Sequence, residues 1–314
     1  MKPFRKTRIA GLFRRSRFRL WHIWKTLYWR CHSNTHDEKR ILLIFGCQRS
    51  GTSLLARIFN NDIRALTRLS EDNCLTGTAE SRLRMRPLTE VNGMIRCFRF
   101  PFVIVKPLVE SQNAIRILNA LPRSKAIWMF RSYKDVVNSN LKRFQRQVIN
   151  LRAIDERQPN NWRSEGLSAT THAVVAKYFR DDMSRADAAA LFWYTRNVLF
   201  YELHLDEHDD VMMCRYENLV SDPHRTMRSI YKFVDLSFPG RDIAREVDGR
   251  SLLLGQRVVL NPEIEELCDG LQSRLERSLN TKHRPCMISV PSLIDRLVTE
   301  SAPSAYIREP IDGP

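Results

Sequence analysis

The chain has 314 residues, 43% of them hydrophobic, enough to bury a full core in one large domain or in one domain with a long insertion. Its formal net charge is +16, and residues 1–40 hold most of the excess: twelve Lys and Arg there face only Asp37 and Glu38, a net of +10. The remaining +6 gives a modestly basic body, a balance suited to an enzyme that binds anions.

Residues 13–30, FRRSRFRLWHIWKTLYWR, are interrupted by arginine too often to supply the roughly 18 apolar residues of a membrane-spanning helix. They also lack the unbroken apolar core and small-residue cleavage site of a secretory signal. Leu20, Ile23, Trp24, Leu27 and Tyr28 follow an i, i+3, i+4 pattern beside Arg19, Lys25 and Arg30, which predicts a basic amphipathic helix. Two readings of it stand side by side. Residues 9–30 lie on an anionic membrane surface with their rings at headgroup level, or the segment packs on the body or frays. Direct nucleic-acid binding ranks third, because no folded reader motif accompanies the charge.

The first strong element follows. Ile41 to Phe45 are five consecutive apolar residues, too few for a helix and rich enough in branched side chains for a strand buried on both faces. Gly46 and Gly51 bracket Cys47-Gln48-Arg49-Ser50, and Leu54, Leu55, Ile58 and Phe59 then resume at the spacing of one helix face. Strand, glycine loop and helix start together make an anion site, because the first helical N–H groups and the positive end of the dipole converge there. Arg49 adds a fork of fixed donors, and Ser50, Thr52 and Ser53 add hydroxyls. The expected anion is a phosphate or sulfate ester. The loop departs from G-x-x-x-x-G-K-[ST], since Thr52 stands where the Lys of an ATPase or GTPase loop would reach the terminal phosphates.

Further along, residues 68–73 read as a polar segment without an obvious element, and residues 81–99 as irregular and basic. Phe102-Val103-Ile104-Val105-Lys106 reads as a second buried strand stopped by Pro107, with Lys106 at the carboxyl end where α/β folds hold ligands. A helix is predicted over 110–121 and a third buried strand over Ala126–Phe130, closed by Arg131. The next helix opens at Ser132–Asp135 and carries Ser139, so a second anion could be held between Arg131 and Ser139. Residues 146–183 are polar, without sustained periodicity, and read as an insertion that closes over the site or contributes to acceptor binding. A long helix over 186–205, a strand over 211–216, a helix from Asp222 to Phe233 and helical stretches near 239–247 and 262–278 complete the body. Strands alternating with helices predict an α/β fold with a doubly wound, mostly parallel sheet. The expected organisation is a basic N-terminal segment (1–40), an α/β domain (41–285) and a C-terminal tail (286–314).

Three segments in this order resemble the sulfotransferases that use 3′-phosphoadenosine 5′-phosphosulfate. GCQRSGTSLL resembles the 5′-phosphosulfate loop in its Golgi-type and bacterial form, FRSYKDVVNS resembles the 3′-phosphate motif, and CRYENLVSDPHRTMRSIYKFVDL resembles the family's later strand and helix. The resemblance spans about residues 41–280 and implies a P-loop-type fold. It also implies that Gln48, Arg49, Ser50, Gly51, Thr52 and Ser53 cradle the 5′-phosphosulfate and that Arg131 and Ser139 hold the 3′-phosphate. Lys106 matches a Lys that neutralises charge developing on the bridging oxygen. A Glu about 20 residues beyond the loop acts as base in several relatives; Glu71 stands at that spacing, with Glu80 and His172 as rivals. The family needs no metal, and the acceptor is a hydroxyl on a carbohydrate, lipid or protein of unspecified class.

Two other readings stand beside this one. A P-loop kinase-like phosphotransferase shares the glycine loop but is weakened by the missing Lys, and a non-catalytic anion- or membrane-binding protein would keep a degenerate fold. His204-Leu205-Asp206-Glu207-His208 spells a zinc-peptidase pattern but sits at a helix end before Asp209 and Asp210, so it reads as a solvated helix terminus. Seven cysteines, Cys31, Cys47, Cys74, Cys97, Cys214, Cys268 and Cys286, are scattered without CxxC pairs, and no N-x-[ST] acceptor occurs. Both features lean toward a cytoplasmic setting, peripheral on the inner membrane face where the N-terminal helix docks.

Overall fold

The computed structural model describes residues 20–32, 39–69, 74–77, 83–245, 247, 252 and 254–282. The chain divides into two compact units after Leu279, and the first of them carries the sheet. Five strands form that sheet in the order β2-β3-β1-β4-β5, with every pairing parallel. They are β1 (Arg40–Gly46), β2 (Ala65–Leu69), β3 (Phe102–Lys106), β4 (Ser124–Phe130) and β5 (Val211–Arg215). Parallel neighbours need crossovers, and helices supply them on both faces. The apolar run of β1 explains its central place. Ile41, Leu43 and Phe45 pack into one core with Trp128, Phe130 and Trp193, while Leu42 and Ile44 face a second core with Phe59, Phe102 and Tyr231.

The helices are α1 (residues 20–32), α2 (Thr52–Phe59), α3 (Leu88–Cys97), α4 (Ala114–Ala120), α5 (Tyr133–Leu141) and α6 (Gln147–Asp155). They continue with α7 (Ala169–Tyr178), α8 (Arg185–Glu202), α9 (Tyr216–Ser221), α10 (Pro223–Phe233) and α11 (Pro262–Lys282). Several differ from the sequence expectation. The supposed polar segment 68–73 opens on the last two residues of β2, an edge strand only five residues long. The basic stretch contains α3, where Val91 and Ile95 are buried a turn apart and Pro87 sets the start. The expected helix over 110–121 is a 3₁₀ turn, Leu108–Asn113, followed by α4. The insertion holds α6 and α7, which pack with α8 around Leu151, Ile154, Trp162, Val175 and Phe192. Its helices are marginal as isolated sequence, and burial against α8 selects them. As expected, Asp222 caps α10 by accepting the Arg225 N–H at 3.0 Å, with Pro223 in the first turn. The tail 286–314 lies outside the described residues.

Helix α1 packs on the body through its polar and aromatic side and turns its aliphatic side outward. Lys25 is 1% exposed, and its ammonium donates to the carbonyls of Asn60, Asp62 and Ala65 at 3.2, 2.7 and 2.6 Å. Trp21 Nε1 donates to the Asn60 carbonyl (3.0 Å), Trp29 Nε1 to that of Ile63 (2.7 Å), and Arg99 to that of Arg30 (2.8 Å). A cation just past the end of α2 meets the negative pole of that helix and the carbonyls of the turn into β2. The apolar residues Leu20, Ile23, Trp24 and Leu27 point outward instead, 49–65% exposed.

Candidate active site

The loop between β1 and α2 owes its shape to two glycines. At Gly46 (φ +124°) a Cβ would stand 2.1 Å from the Met129 carbonyl oxygen of β4. At Gly51 (φ +91°) it would stand 2.2 Å from the ring of Tyr216. Arg49 is also left-handed (φ 69°). Left-handed residues alternating with ordinary ones turn successive N–H groups toward one concavity, and the first-turn amides of α2 add to it. Ser50 is fully buried, and its hydroxyl has no oxygen or nitrogen partner among the described residues.

Three further elements close on this loop at the carboxyl edge of the sheet. From β3 comes Lys106, 3% exposed. Just past β4 stands Arg131, whose Nη2 donates to Asp135 Oδ2 at 3.1 Å and whose guanidinium lies 4.3 Å from the centroid of the Tyr216 ring. Both members of this ion pair are buried. The other oxygen of Asp135 accepts the Gly255 N–H at 2.7 Å, so the segment after residue 254 is pinned on the first turn of α5. One turn beyond Asp135, Ser139 accepts a hydrogen bond from Arg49 Nε at 2.9 Å. Of the two residues expected to share a second anion, Ser139 meets the loop arginine and Arg131 is oriented by Asp135 and Tyr216.

The electrostatics of the place are those of clustered guanidiniums. Partial burial lowers the pKa of Arg49, and the guanidiniums of Arg143 and Arg131 lower it further. Like charges brought together raise each other's free energy, which a bound anion relieves. Arg143 is not singled out by the sequence. Its signal was its place two residues after α5, where its N–H bonds the Asn140 carbonyl. Tyr216 stands out in the sequence only as part of a motif, yet its ring serves both Gly51 and Arg131. Sequence reasoning misses Arg196 altogether. On α8 it is 1% exposed, donates to Gln112 Oε1 at 3.0 Å and stacks at 5.1 Å on Trp162. Burial lowers its pKa to about 10, so it stays charged at neutral pH close to Cys47 at the base of the loop. A lone Arg among the apolar positions of α8 was the available clue. Burial also pushes the Cys47 thiol up to about 12, which keeps it protonated.

Of the three candidate bases, Glu71 and Glu80 lie outside the described residues. His172 stands on α7, with its Nδ1 buried and without a hydrogen-bond partner among the described residues. Glu110 is committed elsewhere, accepting from Arg84 (2.6 and 3.2 Å), the Met85 N–H (3.0 Å) and Asn113 (2.8 Å). Arg84 also pairs with Glu165 of the insertion at 2.8 Å, tying that insertion to the turn after Lys106. The zinc-peptidase pattern is not helical. Helix α8 stops at Glu202, His204 has φ 52°, and His208 Nδ1 accepts the Asp210 N–H at 3.1 Å.

A sequence profile described as the sulfotransferase domain matches residues 39–252. No curated protein matches the chain significantly. Among solved structures, the sulfotransferase domain from the curacin biosynthetic pathway is similar at 14% identity and TM-score 0.48, over 76% of this chain and 99% of that one. The sulfotransferase from Alicyclobacillus acidocaldarius aligns at 16% identity and TM-score 0.44, over 79% and 98%. Mouse sulfotransferase SULT7A1 complexed with PAP aligns at 14% identity and TM-score 0.41, over 85% and 90%.

Proposed function

Because the chain belongs to the sulfotransferase domain family, it is a sulfuryl-transferring enzyme, and we propose that its donor is 3′-phosphoadenosine 5′-phosphosulfate. The observation that carries the proposal is the link between two anion stations. Arg49 of the glycine loop donates directly to Ser139 on α5, and Arg131 stands at the other end of that helix face, held by Asp135 and Tyr216. One station suits a 5′-phosphosulfate and the other a 3′-phosphate. In this reading Gln48, Arg49, Ser50, Gly51, Thr52 and Ser53 bind the first, and Arg131 and Ser139, with Arg143 nearby, bind the second.

The chemistry follows from these groups. The sulfur–oxygen bond to the 5′-phosphate breaks as a new one forms to an acceptor oxygen in line with it, and the acceptor proton passes to a base, for which Glu71 is proposed. Negative charge accumulates on the departing 5′-phosphate. Lys106, Arg49 and the loop amides stabilise it, preorganised donors being the largest expected term in such a site. No step calls for a metal. The insertion with α6 and α7, packed against Val109 just beyond Lys106, supplies part of the acceptor site.

The membrane face is a second proposal, favoured by the outward apolar side of α1 and the +10 charge of residues 1–40. It places a cytoplasmic protein peripherally on the inner membrane surface. The donor reading is tested by calorimetric titration of adenosine 3′,5′-bisphosphate in EDTA, with AMP and Mg-ATP as comparators. Selective binding of the bisphosphate is expected; binding of Mg-ATP without it would favour the phosphotransferase.

A further inference from the structure

We infer that α1 seats this enzyme on an anionic lipid surface with its donor loop facing away from the bilayer, so that the acceptor hydroxyl arrives from solution and is not a headgroup of that bilayer. The inference rests on the peripheral-membrane reading above and adds an orientation, which restricts the acceptor class. On the outward side of α1, Leu20, Ile23, Trp24 and Leu27 form a stripe at helical spacing, 65, 56, 49 and 52% exposed. Next to it Trp21 stacks on Trp24 (centroids 5.2 Å apart), Trp24 meets Tyr28 (5.7 Å) and Tyr28 stacks on His32 (4.2 Å). Indole and phenol rings beside aliphatic side chains fit the boundary between headgroups and acyl chains. Arg14, Arg15, Arg17 and Arg19 immediately precede the helix in sequence, and their charge complements an anionic leaflet rather than another basic copy of this chain.

The orientation follows from where α1 is fastened. Its anchors, Asn60, Asp62, Ile63, Ala65 and Arg99, lie at the amino edge of the parallel sheet, just before or at the start of β2 and β3. The donor loop lies past the opposite edge, at the end of the seven-residue β1. At roughly 3.3 Å per residue, β1 alone separates the two edges by about 20 Å. A helix tied down by a buried ammonium on three carbonyls does not swing freely, so its outward face and the loop point in opposed directions. A headgroup in the same leaflet would then have to cross the height of the sheet to reach Lys106.

The test uses the full chain and vesicles of phosphatidylcholine with or without 30% phosphatidylserine. Wild type is expected to sediment with the anionic vesicles. The variant Leu20→Ser/Ile23→Ser/Trp24→Ser/Leu27→Ser should sediment at least tenfold less while keeping a cooperative unfolding transition, since none of these side chains belongs to either core of the sheet. Hydrogen exchange on vesicle-bound wild type should slow within residues 20–32 and stay unchanged in 47–53 and 131–143. If wild type does not sediment, the membrane reading fails and the inference with it. If the variant sediments like wild type, or self-association in ultracentrifugation replaces vesicle binding, α1 is not the lipid contact. Protection of 47–53 or 131–143 by vesicles would overturn the orientation alone. None of these readouts depends on the donor, so failure of the donor reading would be separately visible.

Discussion

Replacing Gly51 with Ala probes the contact that couples the loop to Arg131. A non-glycine residue at φ +91° is strained by about 1–3 kcal/mol. The new methyl would also stand 2.2 Å from a ring carbon of Tyr216, an overlap that forces the ring aside at a further ~1–3 kcal/mol. At roughly 2 °C per kcal/mol for a chain of this size, the thermal midpoint should fall by about 4–12 °C. The ring also supports Arg131 from 4.3 Å, and losing a contact of that type is worth about 0.5–2 kcal/mol, so adenosine 3′,5′-bisphosphate should bind roughly 2- to 30-fold more weakly. Calorimetry and thermal unfolding on Gly51→Ala, Tyr216→Ala and the double variant separate the two effects. With the ring absent the overlap vanishes and only the backbone strain remains, so the double variant should lose about 1–3 kcal/mol less than the sum of the singles. Additivity within about 0.5 kcal/mol, or a midpoint for Gly51→Ala within about 1 °C of wild type, would refute this account of the glycine.

Arg131→Gln should weaken adenosine 3′,5′-bisphosphate by about 10- to 100-fold, in line with ~1.5–3 kcal/mol for a hydrogen bond to a charged group, and leave AMP nearly unchanged. Equal losses for the two ligands in calorimetry would place the 3′-phosphate elsewhere. Burial lowers the Lys25 pKa from its ordinary value of 10.5 to about 8, so between those values the unfolded chain binds this proton more tightly than the folded one. The Lys25 contribution to stability therefore rises with pH from about 8 to 10.5, by up to ~3 kcal/mol. Buried thiols titrate nearby with opposite sign, so the readout is the stability difference between wild type and Lys25→Met across that range; a flat difference would count against it. With iodoacetamide at neutral pH, mass spectrometry should find Cys31, Cys74 and Cys97 modified long before Cys47, Cys214 and Cys268, because the first three are exposed and burial keeps the others protonated. Early labelling of Cys47 would mean that the loop base opens.

Much of the site was legible because its chemistry is local. A strand, two glycines, an Arg and three hydroxyls within thirteen residues make an anion loop by chain geometry alone, and the structure has the strand, the left-handed glycines and the helix where that pattern puts them. Arg131 was legible as a charged residue ending a buried strand. Arg143 and Arg196 were not, since neither belongs to a local pattern: one acts through proximity to Arg49 and the other through burial under the loop. Helices α3, α6 and α7 escaped because each is only nine or ten residues long, too short to stand out as an isolated helix, and burial against a neighbour selects it.

By itself the sequence determined the alternation of strand and helix, the anion loop and the charge of the N-terminal segment, since all three follow from the order and kind of neighbouring residues. Only the tertiary structure decided which face of α1 meets the body, which carboxylate holds Arg131, and that Ser139 answers Arg49. Those choices lie between residues far apart in the chain or between alternative partners on one helix face, where the carbonyls that receive the Lys25 ammonium and the packing of Tyr216 against Gly51 set the outcome. Local periodicity carries no information about which of two amphipathic faces finds a partner, because that free energy belongs to the surface it meets.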